Sequence, residues 1–457
     1  MERRIVPLIL IFALFGQTTQ LFACPFCSAV SQTLRQEMSS MDAVVIAEAI
    51  NDIEPSESGE VELTVKTVIK GDDLVKVDDV VKSIYFGKAE KGRRFMLTGV
   101  DPPELMWSSP LPVTKRSENY LQQVMKLPEE GLKRLKFYQE YLEDEDSLLA
   151  RDAYDEFAIA PYAEVKALAP DMDHDQLVAW IQDPEVASDR RRLYLTMLGV
   201  CGDEKDVPML EAMLKSTQKS TRSGLDALIA CYLTLNGAEG LPVVDELFLN
   251  NPKSEYADTY AAIMALRFHG TETDVIKKEK LVESLHHVLQ RPQLADLVIP
   301  DLARWGDWSQ IDSLVELFKS ADAGNNWVRV PVINYLRACP LPEAAAALKE
   351  LEEVDPAAVR RANTFFPFPA AGNKETDDAK TSMRLQNRGS LLAFALQSGE
   401  ALAESTAVSG PRPIEMNVAA FPGVNPLRLL FVTGLTAASL MITMWLILRG
   451  GTLPVHD

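Results

Sequence analysis

Between residues 187 and 351 the apolar positions recur at helical spacing, and one two-helix pattern is written five times. Residues 190–200 (RRRLYLTMLGV) lead through Cys201-Gly202-Asp203-Glu204 into 207–214 (VPMLEAML). Residues 223–235 break at Asn236-Gly237 before 241–249, and 256–268 break at His269-Gly270, with a longer insertion, before 281–289. Residues 294–304 pair with 311–318 across Gly306-Asp307, and 328–337 pair with 344–351 across Pro340 and Pro342. Gly, Asn, Asp and Pro punctuate between helices, as breakers do. The period, roughly 30 to 40 residues, lies in the range of α-solenoids. One such hairpin cannot bury its apolar face alone, so the pattern predicts stacked hairpins over 187–362.

Upstream, the period changes. Residues 44–49, 61–65, 80–86 and 95–99 alternate or run apolar as strands do, with Lys70-Gly71-Asp72 as a turn. They predict a small antiparallel barrel of about five strands inside a cysteine-led module, 24–115. Asp101-Pro102-Pro103 and Pro110-Leu111-Pro112 read as a stiff connector. Helical patterns at 120–127, 132–142, 148–157 and 177–181 predict capping helices over 116–186 that shield the first face of the stack. The expected fold class is therefore α+β and multidomain: β-barrel, α-solenoid, then one C-terminal transmembrane helix.

The two ends supply the address. Met1-Glu2-Arg3-Arg4, the apolar run 5–15 and a small residue at Ala23 read as a signal peptide, 1–23. Residues 363–426, rich in Pro, Ala, Gly and Ser, read as a flexible linker with an apolar island at 391–396. Residues 429–448 are uncharged, long enough to cross a bilayer and bracketed by Arg428 and Arg449. A transmembrane helix over 427–449 with a short cytoplasmic tail, 450–457, places the bulk of the chain outside the cytoplasm, in the periplasm or cell envelope.

Charge and chemistry narrow the function. The 457 residues are 47% hydrophobic, enough for two folded units, and carry a net charge of -20. Nucleic acid is excluded as a partner, since phosphate neutralisation needs clustered Lys and Arg. No phosphate loop, nucleophile elbow or His-Glu-x-x-His motif is present, so no cofactor, metal or small-molecule substrate is expected. Asp171, Asp173 and Asp175 lack the Gly and bidentate Glu of a calcium loop and read as helix capping. His286 and His287, adjacent on a helix, diverge by about 100 degrees and do not share a metal. Cys201, Cys231 and Cys339 sit on apolar helices as small hydrophobes. Trp305, Trp308 and Trp327, with Arg304 and Arg329, are the candidate partner-binding anchors.

Cys24-Pro25-Phe26-Cys27 opens the mature chain and leaves three readings. Leu21-Phe22-Ala23-Cys24 resembles a bacterial lipobox, which implies acylation of Cys24. Cys-Pro-x-Cys resembles the thioredoxin dithiol, which implies redox catalysis by Cys24 and Cys27 at a helix amino terminus, for which 29–38 is helix-compatible. A disulfide or metal clip tying down the terminus is the third.

The turns Gly202-Asp203 before Val207-Pro208, and Gly306-Asp307, resemble HEAT-like repeats of the short, lyase type. That resemblance implies architecture and partner binding. The order of cysteines, D-x-V-V-I-A, V-K-T-V-I-K-G-D and G-R-R-F-M-L-T-G resembles the netrin-like module, an OB-fold family that includes tissue inhibitors of metalloproteinases. This resemblance implies zinc-directed inhibition through the amine and carbonyl of Cys24, although the later cysteines of that family are missing here. The expected function is a membrane-anchored extracytoplasmic scaffold or adaptor binding envelope proteins, without enzymatic activity. Thiol-disulfide exchange and protease inhibition are the alternatives.

Overall fold

The computed structural model describes residues 25–27, 31–322 and 325–365, all within a compact unit, Met1–Lys374. The signal-like run, Cys24, the linker, the apolar run 429–448 and the tail lie outside the described residues.

A short helix α1 (Leu34–Ser40) leads into a six-stranded antiparallel sheet. The strands are β1 (Ala43–Ala49), β2 (Glu60–Lys70), β3 (Val80–Ile84), β4 (Arg94–Val100), β5 (Met106–Trp107) and β6 (Leu111–Pro112). Their order is β3-β2-β1-β4-β5, with β6 also on β4. The Ser83 hydroxyl donates to the Ser108 carbonyl at 2.7 Å across the gap between β3 and β5, so the sheet is nearly closed and barrel-like. Residues 43–47 of β1 are apolar without alternation because both faces are covered there. Val45 and Ala47 join Leu63, Val65, Phe95 and Leu97 inside the sheet, while Val44 and Ile46 join the helical core. The turn after β2 needs glycine: Gly71 has φ +81, and a Cβ there would stand 2.7 Å from the Asp42 carbonyl oxygen. The proline connector is more than a spacer. It contributes β5 and β6, with Pro112 opposite Phe95 at the end of the ladder, where a missing N–H is tolerated.

Helices follow without interruption: α2 (Lys115–Val124), α3 (Leu132–Gln139), α4 (Ser147–Ala158), α5 (Tyr162–Ala167) and α6 (His174–Gln182). Then come α7 (Ser188–Cys201), α8 (Val207–Leu214), α9 (Leu225–Asn236) and α10 (Leu241–Val244), the last running on as a π-helix, Asp245–Leu249. The series ends with α11 (Tyr256–Glu272), α12 (Lys278–Leu289), α13 (Ile299–Trp305), α14 (Ile311–Ser320), α15 (Asn326–Ala338), α16 (Pro342–Val354) and α17 (Pro356–Phe365). Helix α6 starts at Asp173, whose carboxylate accepts from the Gln176 amide at 3.0 Å, the capping expected there. The helix expected over 294–304 starts late: Pro300 permits only the first turn of α13, and Ala295–Leu297 forms a separate 3-10 turn.

First helices pack on first helices, α7 on α9 and α9 on α11, then α13 on α15 and α15 on α17. The second row runs from the π-helix to α12, and from α14 to α16. Between α11 and α13 the approach is close enough that a Cβ on Gly270 would meet the Trp305 ring at 2.3 Å. Among the described residues one helical stretch, Leu225–Leu249, is long and apolar enough to cross a membrane, but 56% of its most apolar window is buried in the fold. It is also broken at Gly237, φ +63, where α9 ends.

Ion pairs repeat with the helices. Arg192 reaches Asp226 at 2.8 Å, Arg222 reaches Asp258 at 2.8 Å and Arg267 reaches Asp301 at 2.7 Å, 34, 36 and 34 positions apart. The Arg222 and Asp258 side chains are 18% and 25% exposed. Replacing Arg222 with alanine is expected to cost about 1 kcal/mol at low salt and less at high salt, read as the shift in urea midpoint.

Candidate functional site

Phe26 and Cys27 of the cysteine-led segment pack into the helical core. Phe26, 9% exposed, packs its ring at 5.1 Å, tilted, against Phe268 of α11, which in turn meets Tyr162 of α5 at 5.4 Å. Cys27 is disulfide-bonded and packs against the same helical core. Residues 31–33 lead as a strap into α1, whose Thr33 cap and Gln36 form a reciprocal capping box. Among the described residues the first helix begins at Leu34, and Cys24, the other cysteine of the thioredoxin-type reading, lies outside them.

Three carboxylates on one face of α4 receive the strap. Asp152 accepts from the Leu34 amide at 2.7 Å, Asp155 from the Ser31 hydroxyl at 3.0 Å and Glu156 from the Arg35 guanidinium at 3.3 Å. Beneath them Tyr120 of α2 donates to Asp152 at 2.6 Å, and Arg134 of α3 pairs with Glu156 at 2.9 Å. All five of Asp152, Asp155, Glu156, Tyr120 and Arg134 are buried. At the other end of α1 the Lys70 ammonium donates to the Ser39 carbonyl at 2.7 Å and to those of Met38 and Met41. Carboxylates at the amino end and an ammonium at the carboxyl end match the helix dipole. The strap thus braces the sheet against the helices.

Burial governs the electrostatics of this seat. It pushes the Asp152 carboxyl up to about 7, against the pull of the Tyr120 and Leu34 hydrogen bonds. The same loss of water raises the phenols of Tyr120 and Tyr138. The Tyr138 hydroxyl is buried with no hydrogen-bond partner. The arrangement holds a segment; it presents no nucleophile paired with a base. Sequence reading overlooked it because LLARDAYDEFA looks amphipathic with its acids in water. The readable signal is that Asp152, Asp155 and Glu156, spaced i, i+3 and i+4, form one acidic face adjoining the apolar stripe of Leu149, Ala153 and Phe157.

The five expected anchors divide by exposure. Trp327 is 72% exposed at the start of α15. Arg304 is exposed and pairs with Asp301 at 2.6 Å within its own helix. Trp305 lies over Gly270 and Trp308 meets Tyr335 edge-on at 5.1 Å, both half-buried against the core. Arg329 is buried, committed to Asp355 at 2.7 Å and to the Ala321 carbonyl at 2.8 Å. It is a tie between α15 and the start of α17, with its Nε buried and without a hydrogen-bond partner.

The histidines also serve as ties. His286 meets Asp307 at 2.6 Å, while His287 faces Asp245 at 3.7 Å, so the two diverge onto different carboxylates. His174 bridges α6 to Asp206 at 2.9 Å, and its flanking carboxylates, Asp175 and Asp206, raise its pKa. Buried His269 is held down to about 4 by loss of water. Cys201, Cys231 and Cys339 are free, with Cys231 and Cys339 buried as small hydrophobes. Among the described residues no group of His, Cys, Asp and Glu is arranged to hold a metal ion. No family model matches this chain, and no curated protein or solved structure matches it.

Proposed function

We propose that this protein is a non-enzymatic scaffold or adaptor of the cell envelope, which binds protein partners along a HEAT-like helical solenoid. The observation that carries the reading is the two-row stacking of helical pairs, tied at repeat-length intervals by Arg192–Asp226, Arg222–Asp258 and Arg267–Asp301. Stacks of this kind extend one surface across many turns and serve as binding platforms. The uncharged run 429–448 tethers the platform to the membrane and the amino-terminal signal sends it across. Trp327 is the anchor the reading favours, being large, aromatic and open to solvent.

In this reading the β module has an OB or netrin-like fold without an inhibitor's use of its terminus. Phe26 and Cys27 are spent on the helical core, so the strap has a structural role, and exchange chemistry at the Cys27 disulfide is secondary.

The test is in-membrane crosslinking followed by recovery of the full chain. Trp327→Ala is expected to leave stability within about 0.5 kcal/mol of the parent, as an exposed substitution should. It is expected to reduce recovery of specific partners at least about tenfold, the loss typical of an aromatic hot spot. Equal recovery by both proteins overturns the assignment of Trp327. A full chain that captures nothing yet turns over a substrate overturns the scaffold itself.

A further inference from the structure

Among the described residues, the polar bonds tying the strap to the helical region end on one cluster of carboxylates. Ser31, the Leu34 amide and Arg35 reach Asp155, Asp152 and Glu156 of α4. The groups facing that cluster come from every element around it. Tyr120 stands on α2, Tyr138 and Arg134 on α3, Arg151 beside Asp155 on α4 itself, and Glu164 of α5 shares Arg134. Three carboxylates thus crowd one helix face under a lid of strap. Arg134 and Arg35 both pair with Glu156, leaving Asp152 only the Leu34 amide and the Tyr120 hydroxyl.

We propose that the amino-terminal strap is a proton-sensitive latch, held tightest at acid pH and loosened as the pH rises to neutrality. The titrating group is Asp152, which the docked strap seals from water. Lifting the strap rehydrates it and restores an ordinary carboxylate. Burial holds the docked group up at about 7. The docked state therefore keeps a proton that the lifted state has lost between about pH 4 and about pH 7. A raised carboxyl stabilises the docked form fully below the ordinary value and ceases to do so as pH climbs through about 7. From about pH 6 to about pH 8 the lifted population grows about tenfold.

The full chain in detergent micelles provides the test. Amide exchange of peptides spanning residues 31–41 is followed from mildly acid to mildly alkaline pH, corrected for base catalysis and referenced to β4. Protection of the strap is expected to fall about tenfold between about pH 6 and about pH 8 relative to β4. Asp152→Asn is expected to flatten that slope. Tyr120→Phe, which removes a donor to the charged carboxylate, is expected to move the midpoint to higher pH. A flat profile in the parent overturns the latch, as does a slope that survives in Asp152→Asn. If Asp152→Asn does not fold, Tyr120→Phe decides, and an unmoved or lowered midpoint overturns the assignment to Asp152.

Discussion

Replacing Arg134 with alanine is expected to destabilise the folded unit by about 3 to 5 kcal/mol, because a buried carboxylate then loses its counter-charge. The Arg134 and Glu156 side chains are 3% and 0% exposed, and their contact is 2.9 Å. Arg134 also meets Glu164 at 3.4 Å, so one truncation leaves two carboxylates short of charge. Arg35 stays on the other oxygen of Glu156, but it belongs to the strap, which is itself held by this cluster. The double variant Arg134→Leu/Glu156→Leu removes both charges and is expected to recover most of the loss, since apolar pairs often match buried ion pairs in stability. Urea unfolding followed by tryptophan fluorescence separates the cases. A loss below about 1 kcal/mol for Arg134→Ala would mean that water reaches Glu156 and the pair is effectively a surface one.

What could be read from the sequence follows from what sets local periodicity. The bounds of α8 were legible because Pro208 opens it and apolar spacing fills it. Strands β1 to β4 were legible because alternation and β-branched residues mark them, and Gly71 marks the turn. Short elements carry too few residues to show a period, so α5, β5 and β6 went unseen. Helix α17 was missed because its alanines and arginines lack an apolar stripe of usual width. The anchors were legible only as residue types. Trp327 and Trp308 look alike in sequence, and only packing puts the first in solvent and the second on Tyr335. The seat of the strap was least legible, since it joins residues 118 to 124 positions apart. No local pattern encodes such contacts.

A contact still more distant in sequence, Phe26 with Phe268, makes Phe268 the second sensitive position. Its ring, 5% exposed, joins Phe26 of the strap at 5.1 Å and Tyr162 of α5 at 5.4 Å. Phe268→Ala is expected to cost about 3 to 5 kcal/mol, the sum of lost transfer energy and a cavity that α11 cannot close. Phe268→Leu keeps most of the volume and is expected to cost less, about 1 to 1.5 kcal/mol, with the two aromatic contacts as the main loss. A second readout is independent of global stability. Phe26 precedes Cys27 directly, so removing its platform frees the cysteine segment and exposes the Cys27 disulfide to solution thiols. Reduction by a fixed concentration of dithiol, measured under native conditions, is expected to be faster in Phe268→Ala than in Phe268→Leu or the parent. If all three are reduced at one rate while Phe268→Ala is destabilised, Phe268 is a core residue alone and the segment is held by α4 carboxylates without it. Faster reduction with unchanged α4 contacts would make the aromatic slot and the carboxylate seat two independent fastenings of one strap.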